Sequence, residues 1–169
     1  MDTKEIYFAA GCFWGTERLY QCIDGVVDTE CGFANGNPDI SPDYRQVCQG
    51  DTGYRETVYV RYDSQKVTLE QLLKAYFHVV DPTVKDRQGN DVGTQYQTGI
   101  YYVDEASGAE VQEYARREAE KYPVFATEIL PLKKFVPAEE GHQNYLLRNP
   151  GGYCHISPLE FSTINQLIR

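Results

Sequence analysis

Cys12 is the side chain of this sequence most clearly set up for chemistry. It lies between Gly11 and Phe13, after the apolar run 6–10 and ahead of a stretch with helical spacing. A cysteine at the start of a helix meets free backbone N–H groups and the positive end of the helix dipole, and both favour the thiolate. That setting predicts a lowered pKa and a nucleophile presented at the end of a strand. The same cysteine also fits a plainer role, as a small apolar group buried in a strand-to-helix turn. Phe13 and Trp14 follow it, either as core packing or as an apolar wall beside the sulfur. The other cysteines stand at 22, 31, 48 and 154. None forms a C-x-x-C pair, so a zinc ribbon and a thioredoxin-type motif are absent. An odd number of cysteines in a chain of this size reads as free thiols in a reducing compartment. The histidines at 78, 142 and 155 are too scattered to suggest a metal site. Cys12 with His142 would make a hydrolase pair, although His142 reads more simply as a structural hydrogen-bonding residue.

The elements that must position these groups follow from periodicity. Residues 6–10 read as a short buried strand, broken by Gly11, and residues 13–22 as a helix ended by Gly25. Residues 26–33 form a second strand. A turn-rich stretch follows, in which Ser41-Pro42 opens a short helical turn carrying Tyr44, Val47 and Cys48. Residues 57–62 alternate, with Val58, Val60 and Tyr62 on one face. Leu69, Leu72, Leu73, Tyr76, Phe77 and Val80 mark the clearest helix, with Thr68 and Gln71 as its capping box. Residues 85–97 read as a polar loop and 99–103 as a strand. Val111, Tyr114, Ala115, Glu118 and Tyr122 fall on another helix, and 127–130 reads as the final strand. Residues 138–147 are predicted helical. Asn149-Pro150-Gly151-Gly152 opens a flexible tail whose last helix is capped by Ser157-Pro158 with Glu160. Two β-α-β halves joined by a loop predict a single-domain, two-layer α+β fold. Its core would be a ferredoxin-like split β-α-β sheet with long loops and a helical C-terminal tail.

Composition narrows the function classes. The 169 residues carry 16 Lys and Arg against 25 Asp and Glu, a net charge of −9. Such a chain lacks the cationic surface that nucleic acids or anionic membranes require. Its longest apolar run, residues 6–14, includes a glycine and falls short of the roughly 20 residues of a membrane span. The first five residues have no positive excess, so they do not read as a signal peptide, and a cytoplasmic setting is expected.

The segment Gly11-Cys12-Phe13-Trp14-Gly15-Thr16-Glu17 resembles the signature of the peptide methionine sulfoxide reductase A family. Further segments follow in that family's order: residues 44–53, Glu56, Asp81-Pro82-Thr83, residues 88–96, Ala138-Glu139-Glu140 and His142-Gln143. The resemblance implies thiol-dependent reduction of methionine-S-sulfoxide, free or in oxidised proteins, with no bound cofactor or metal. Cys12 would be the nucleophile and Glu56 the acid, kept protonated by an apolar site. Tyr44 and Tyr96 would hydrogen-bond the sulfoxide oxygen, Asp91 would be a further polar residue of the site, and Phe13 and Trp14 would enclose the substrate methyl. The product on the enzyme would be a sulfenic acid at Cys12, which a second thiol condenses into a disulfide. Cys154 fills that place, because it follows the hinge Pro150-Gly151-Gly152 and residues 149–155 resemble the tail of family members that resolve there. The tail 149–169 would therefore be mobile. A thioredoxin-like protein, or dithiothreitol in vitro, would reduce the disulfide, and nothing demands more than a monomer.

The sequence departs from the family pattern around the acid, where Thr52-Gly53-Tyr54-Arg55-Glu56 replaces Thr-Gly-His-Ala-Glu. Arg55 beside Glu56 is expected to favour ionisation of that carboxyl. Two rival readings stand beside the resemblance: the Cys12–His142 hydrolase, and a redox-sensing or sulfoxide-binding module that oxidises without turning over.

Overall fold

The computed structural model describes residues 2–169. In chain order the elements are β1 (Thr3–Ala9), α1 (Phe13–Gln21), β2 (Val26–Ala34), α2 (Tyr44–Cys48), β3 (Arg55–Asp63), α3 (Leu69–Val79), β4 (Arg87–Gln88) and β5 (Asp91–Val92). There follow β6 (Gly99–Tyr102), α4 (Glu105–Ala119), β7 (Glu128–Pro131), β8 (Phe135–Pro137), α5 (Tyr145–Arg148) and α6 (Pro158–Leu167). Six strands form one sheet in the order β7-β6-β1-β3-β2-β8. β3 lies between β1 and β2, and β1 lies between β3 and β6, so each β-α-β unit is split by a strand of the other, as expected. β7 runs parallel to β6 at one edge, and β8 runs antiparallel to β2 at the other.

The two-residue period of the strands decides what lies beneath the helices. Ile6 and Phe8 of β1, Cys31 and Phe33 of β2, Val58, Val60 and Tyr62 of β3 and Ile100 of β6 share one buried cluster with residues from α1, α3 and α4. Phe8 is the pivot of that layer. Its ring stacks on Tyr20 of α1 with centroids 4.6 Å apart and on Tyr76 of α3 at 5.4 Å. Such aromatic pairs add about 0.5–1.5 kcal/mol each beyond the burial of their area. Tyr76 also donates its hydroxyl to the Ala9 carbonyl (2.8 Å), which fixes the end of β1 immediately before the cysteine turn. On the opposite face Tyr7 packs against Tyr59 and Phe135, a thinner cluster without a helix over it.

Several elements differ from the sequence-based expectation. Residues 127–130 are not the last strand, because β8 follows and seals the free edge of β2, with Pro137 at an edge position where no N–H is needed. Residues 138–147 are not one helix. Gln143 uses its side chain to pair with Cys31, receiving the Cys31 N–H (2.7 Å) and donating to the Cys31 carbonyl (2.8 Å). Asn144 then turns left-handed (φ 54°) and donates its N–H to Glu17 (2.7 Å), so only a turn at Glu140–His142 and the short α5 remain. α4 stops at Ala119, leaving Tyr122 in the following turn. α2 is capped by Asp43, which forms a capping box with Gln46, rather than opened by Ser41-Pro42. The polar loop 85–97 contains the β4–β5 hairpin. The capping boxes at Thr68–Gln71 and the Ser157-Pro158 start of α6 are as the sequence indicates.

The C-terminal segment is docked at several points. Ile164 and Ile168 are buried in the main core, Asn165 bonds the Cys22 carbonyl and the Asp24 N–H, and Glu160 meets His78 of α3 at 2.6 Å. No helix among the described residues is long and apolar enough to cross a membrane.

Candidate active site

Strand β1 delivers the chain to a glycine turn, and the turn delivers Cys12 to the N-cap of α1. Gly11 has φ +85°, and a Cβ there would lie 2.8 Å from Gln88, so both conformation and space require glycine. Cys12 is 6 % exposed. Burial pushes its thiol well above the ordinary range, the Glu56 carboxylate adds to the rise, and the Trp14 N–H opposes it only partly. This corrects the expected lowering. The helix-start effect is present, but removal of the sulfur from water outweighs one N–H dipole. At rest Cys12 is a thiol.

Glu56 reaches the same turn from β3, where it pairs in register with Phe33. Its Oε1 accepts the Phe13 N–H at 3.1 Å, one of the donors α1 leaves free, while its buried Oε2 has no protein partner. Burial raises its pKa to about 8 against the lowering by the Phe13 N–H, with Asp91 adding to the rise. The carboxyl is therefore protonated at neutral pH. Arg55 does not reverse this. Neighbours on a strand point to opposite faces, and Arg55 bonds Glu128 (3.1 Å) and the Thr94 carbonyl (2.9 Å) on the far side of the sheet. Tyr54, the other unusual neighbour, is buried and ties the loop 36–40 by donating its hydroxyl to the Asn37 and Ile40 carbonyls.

The remaining residues close around this pair. Burial and the nearby Glu56 raise the pKa of both Tyr44 and Tyr96, which keeps their hydroxyls protonated as donors. Asp91, on the β4–β5 hairpin, accepts the Tyr153 hydroxyl at 2.8 Å through Oδ1 and holds Oδ2 buried without a protein partner. Phe13 is fully buried against Phe33, with ring centroids 5.7 Å apart. Trp14 stacks on Tyr145 at 3.9 Å and donates its indole N–H to His142 Nδ1 at 3.2 Å. His142 also stacks on Tyr44 at 4.2 Å, and its Nε2 faces Glu139 at 3.7 Å. Both of its ring nitrogens are thus engaged away from Cys12, which removes the hydrolase pairing. Among the described residues no group of three or more His, Cys, Asp or Glu is arranged to hold a metal.

Cys154 comes from the far end of the chain to α1. A Cβ on Gly15 would lie 2.8 Å from its Sγ, so the missing side chain at Gly15 is what lets the thiol approach. The thiol donates to the Ile156 carbonyl at 3.1 Å. Of the other cysteines, Cys31 is buried beside the start of α1, against the Phe13 carbonyl (3.6 Å) and Glu17 (3.3 Å), Cys22 is half-buried at the end of α1, and Cys48 is exposed on α2 beside Tyr44. Sequence reasoning gave no role to Gly15 or Tyr153 and weighed His155 only as a metal ligand. The signal for Gly15 was present, since a glycine inside the first turn of a helix costs stability and needs a reason.

A thiol at a helix start, a neutral carboxyl beside it, two tyrosine hydroxyls and a second thiol at the same helix turn fit a cysteine-dependent oxidoreductase. Comparisons with known proteins narrow this class. Residues 4–166 match the family model described as peptide methionine sulfoxide reductase. Peptide methionine sulfoxide reductase MsrA of Clostridium acetobutylicum is 55 % identical over 90 % of this chain and 94 % of its own. The crystal structure of reduced Mxr1 from Saccharomyces cerevisiae superposes with a TM-score of 0.85 at 39 % identity, over 90 % of this chain and 88 % of that one. A structure of the same yeast protein in complex with Trx2 gives a TM-score of 0.61 at 29 % identity, over 85 % and 84 % of the two chains. The chain belongs to the peptide methionine sulfoxide reductase family, as a member of the MsrA type, and its activity is the reduction of methionine sulfoxide.

Proposed function

We propose that Cys12 attacks the sulfur of methionine-S-sulfoxide while Glu56 supplies the proton to its oxygen. The observation that carries this reading is the Glu56 carboxyl, neutral at pH 7, anchored through Oε1 to the first turn of the helix that presents Cys12, with Oε2 unengaged. Proton donation makes the sulfoxide sulfur electrophilic, and the proton lost from Cys12 balances the one delivered. One methionine leaves and Cys12 becomes a sulfenic acid. Tyr44 and Tyr96 hold the oxygen, Asp91 lines the polar side, and Phe13 and Trp14 receive the methyl group. Trp14 owes its orientation to His142. His142→Phe, which keeps the stack on Tyr44 but loses the indole bond, is expected to raise KM roughly 2–10-fold, the value of one hydrogen bond, with kcat little changed. Steady-state kinetics on methionine sulfoxide checks this.

In the second half-reaction Cys154 displaces the sulfenic hydroxyl as water and forms the Cys12–Cys154 disulfide. The moving part of the tail 149–169 is the stretch 149–154, which carries Pro150-Gly151-Gly152 and ends where His155 bonds the Ala10 carbonyl and Ile156 enters the core. A thioredoxin-like protein then returns both thiols, a reading supported by the yeast relative's structure with Trx2. No bound cofactor or metal takes part, and the chain works as a monomer in the reducing cytoplasm, on free methionine sulfoxide and on oxidised proteins.

Cys154→Ser tests this sequence of events. One equivalent of methionine per enzyme is expected from the first attack, followed by a stall with thioredoxin, slow rescue by dithiothreitol and dimedone-trappable Cys12. The wild type, given one equivalent of substrate, should lose two thiols. Normal cycling of the variant with thioredoxin would move the resolving role to Cys22, Cys31 or Cys48. Reductant-dependent turnover on the sulfoxide also separates the reductase from a module that oxidises only once.

A further inference from the structure

His155 lies beside the two thiols, and this mechanism gives it no task. Its Nε2 lies 2.8 Å from the Ala10 carbonyl, an acceptor with no proton to give, so Nε2 carries the hydrogen and Nδ1 is a bare lone pair. That Nδ1 is buried and without a protein partner. It faces the first turn of α1, 3.3 Å from where a Gly15 Cβ would sit, the spot that Cys154 Sγ approaches to 2.8 Å. The imidazole is thus pinned on one side by the strand that leads to Cys12, with its basic nitrogen turned toward the place where Cys154 approaches.

We propose that His155 Nδ1 is the proton acceptor of the resolving step, an inference that rests on the assignment of Cys154 above. As Cys154 Sγ bonds to Cys12 Sγ, its proton leaves the Ile156 carbonyl for His155 Nδ1, the Cys12 S–O bond breaks, and the same proton passes to the departing hydroxide. The products are a disulfide and one water, and His155 ends neutral, ready for the next cycle. Burial holds the Cys154 thiol above its ordinary pKa and the His155 ring below its own, so a thiol faces a neutral base at pH 7. The titratable groups that bear on the ring are Asp91 from the hairpin, which also accepts the Tyr153 hydroxyl, and Cys154, which meets the ring at Gly15.

His155→Gln is the decisive variant, because glutamine retains an N–H for the Ala10 carbonyl but has no basic nitrogen at the Nδ1 position. After mixing with one equivalent of methionine sulfoxide, methionine release and disulfide formation are followed in the same sample by acid quench and mass spectrometry. Disulfide formation is expected to slow about 10²-fold or more relative to methionine release, the scale of general-base catalysis, with dimedone-reactive Cys12 accumulating. The wild-type disulfide rate should fall as pH drops through the His155 titration, below the ordinary histidine value. The glutamine variant should lack that limb and rise only toward alkaline pH as Cys154 ionises. A wild-type rate in the variant, or a slow rate that keeps the acid limb, overturns the proton-acceptor role. If wild-type enzyme forms no Cys12–Cys154 disulfide, the resolving assignment itself is what fails.

Discussion

Cys12→Ser is expected to leave no measurable reduction of methionine sulfoxide with any thiol reductant. The loss should be on the order of 10⁴–10⁶-fold, as when the nucleophile that defines a mechanism is removed. A serine hydroxyl is both harder and far less acidic than a thiol, and the pocket that already holds the Cys12 thiol protonated would hold an alcohol more firmly still. Shape is not the cause of the loss, because serine fits the same N-cap and is a preferred residue there. The variant should fold normally and keep its substrate affinity. Methionine release by chromatography and binding by calorimetry are the two readouts. Turnover within a hundredfold of wild type would take Cys12 out of the nucleophile role.

Glu56→Gln should slow the first methionine-forming turnover about 10²–10⁴-fold, or roughly 3–5 kcal/mol in barrier. Glutamine can still accept the Phe13 N–H and fill the same space, but it has no proton to transfer at neutral pH. In the wild type the acid form predominates below pH about 8, so the first-turnover rate should fall as pH rises through that value. The variant should lack this limb. Stability is expected to move the other way. A carboxyl whose pKa is higher in the folded than in the unfolded state has its full share of stability at acidic pH and loses it as pH rises from the unfolded value toward the folded one. Glutamine carries no such cost, so the variant should gain melting temperature relative to wild type between about pH 5 and pH 8. A protein that is slower yet more stable cannot be explained as misfolded. An unchanged first-turnover rate by rapid mixing would exclude Glu56 as the proton source.

The parts of this molecule that depend on contiguous residues were legible in the sequence. Residues 11–17 announce a cysteine at a strand-to-helix turn, and the spacing Leu69, Leu72, Leu73, Tyr76 announces a helix. The split sheet follows from element order. What depends on distant partners was not legible. The thiol pKa of Cys12 turned on burial, which is a property of the assembled layers. Residues 138–147 look helical one by one, but Gln143 spends its side chain on the backbone of Cys31, and no local rule anticipates that. The placement of Arg55 was within reach of a period-two argument, since a strand neighbour of a buried acid faces away from it. Glu56, Tyr44, Tyr96 and Asp91 are chemically ordinary in isolation and became candidates only through the resemblance, because the fold gathers them from β3, α2, a 3₁₀ turn and a hairpin.

The docking of α6 bears on how the two cysteines of the proposed disulfide would meet. Buried Ile164 and Ile168, the Asn165 bonds and the Glu160–His78 contact fasten the chain beyond Cys154, while α5 fastens it before. The segment 149–154 is therefore a short closed loop rather than a free end. Most of the entropy of bringing its thiol to Cys12 is lost once, on folding, and not again in each catalytic cycle. In the resolving role proposed for it, Cys154 meets Cys12 at a high effective molarity, and a diffusing thiol would have to compete against that local concentration. The same tether limits how far Cys154 can stray, so this loop geometry favours closing the internal bridge over cross-linking to another protein in a crowded pool of thiols.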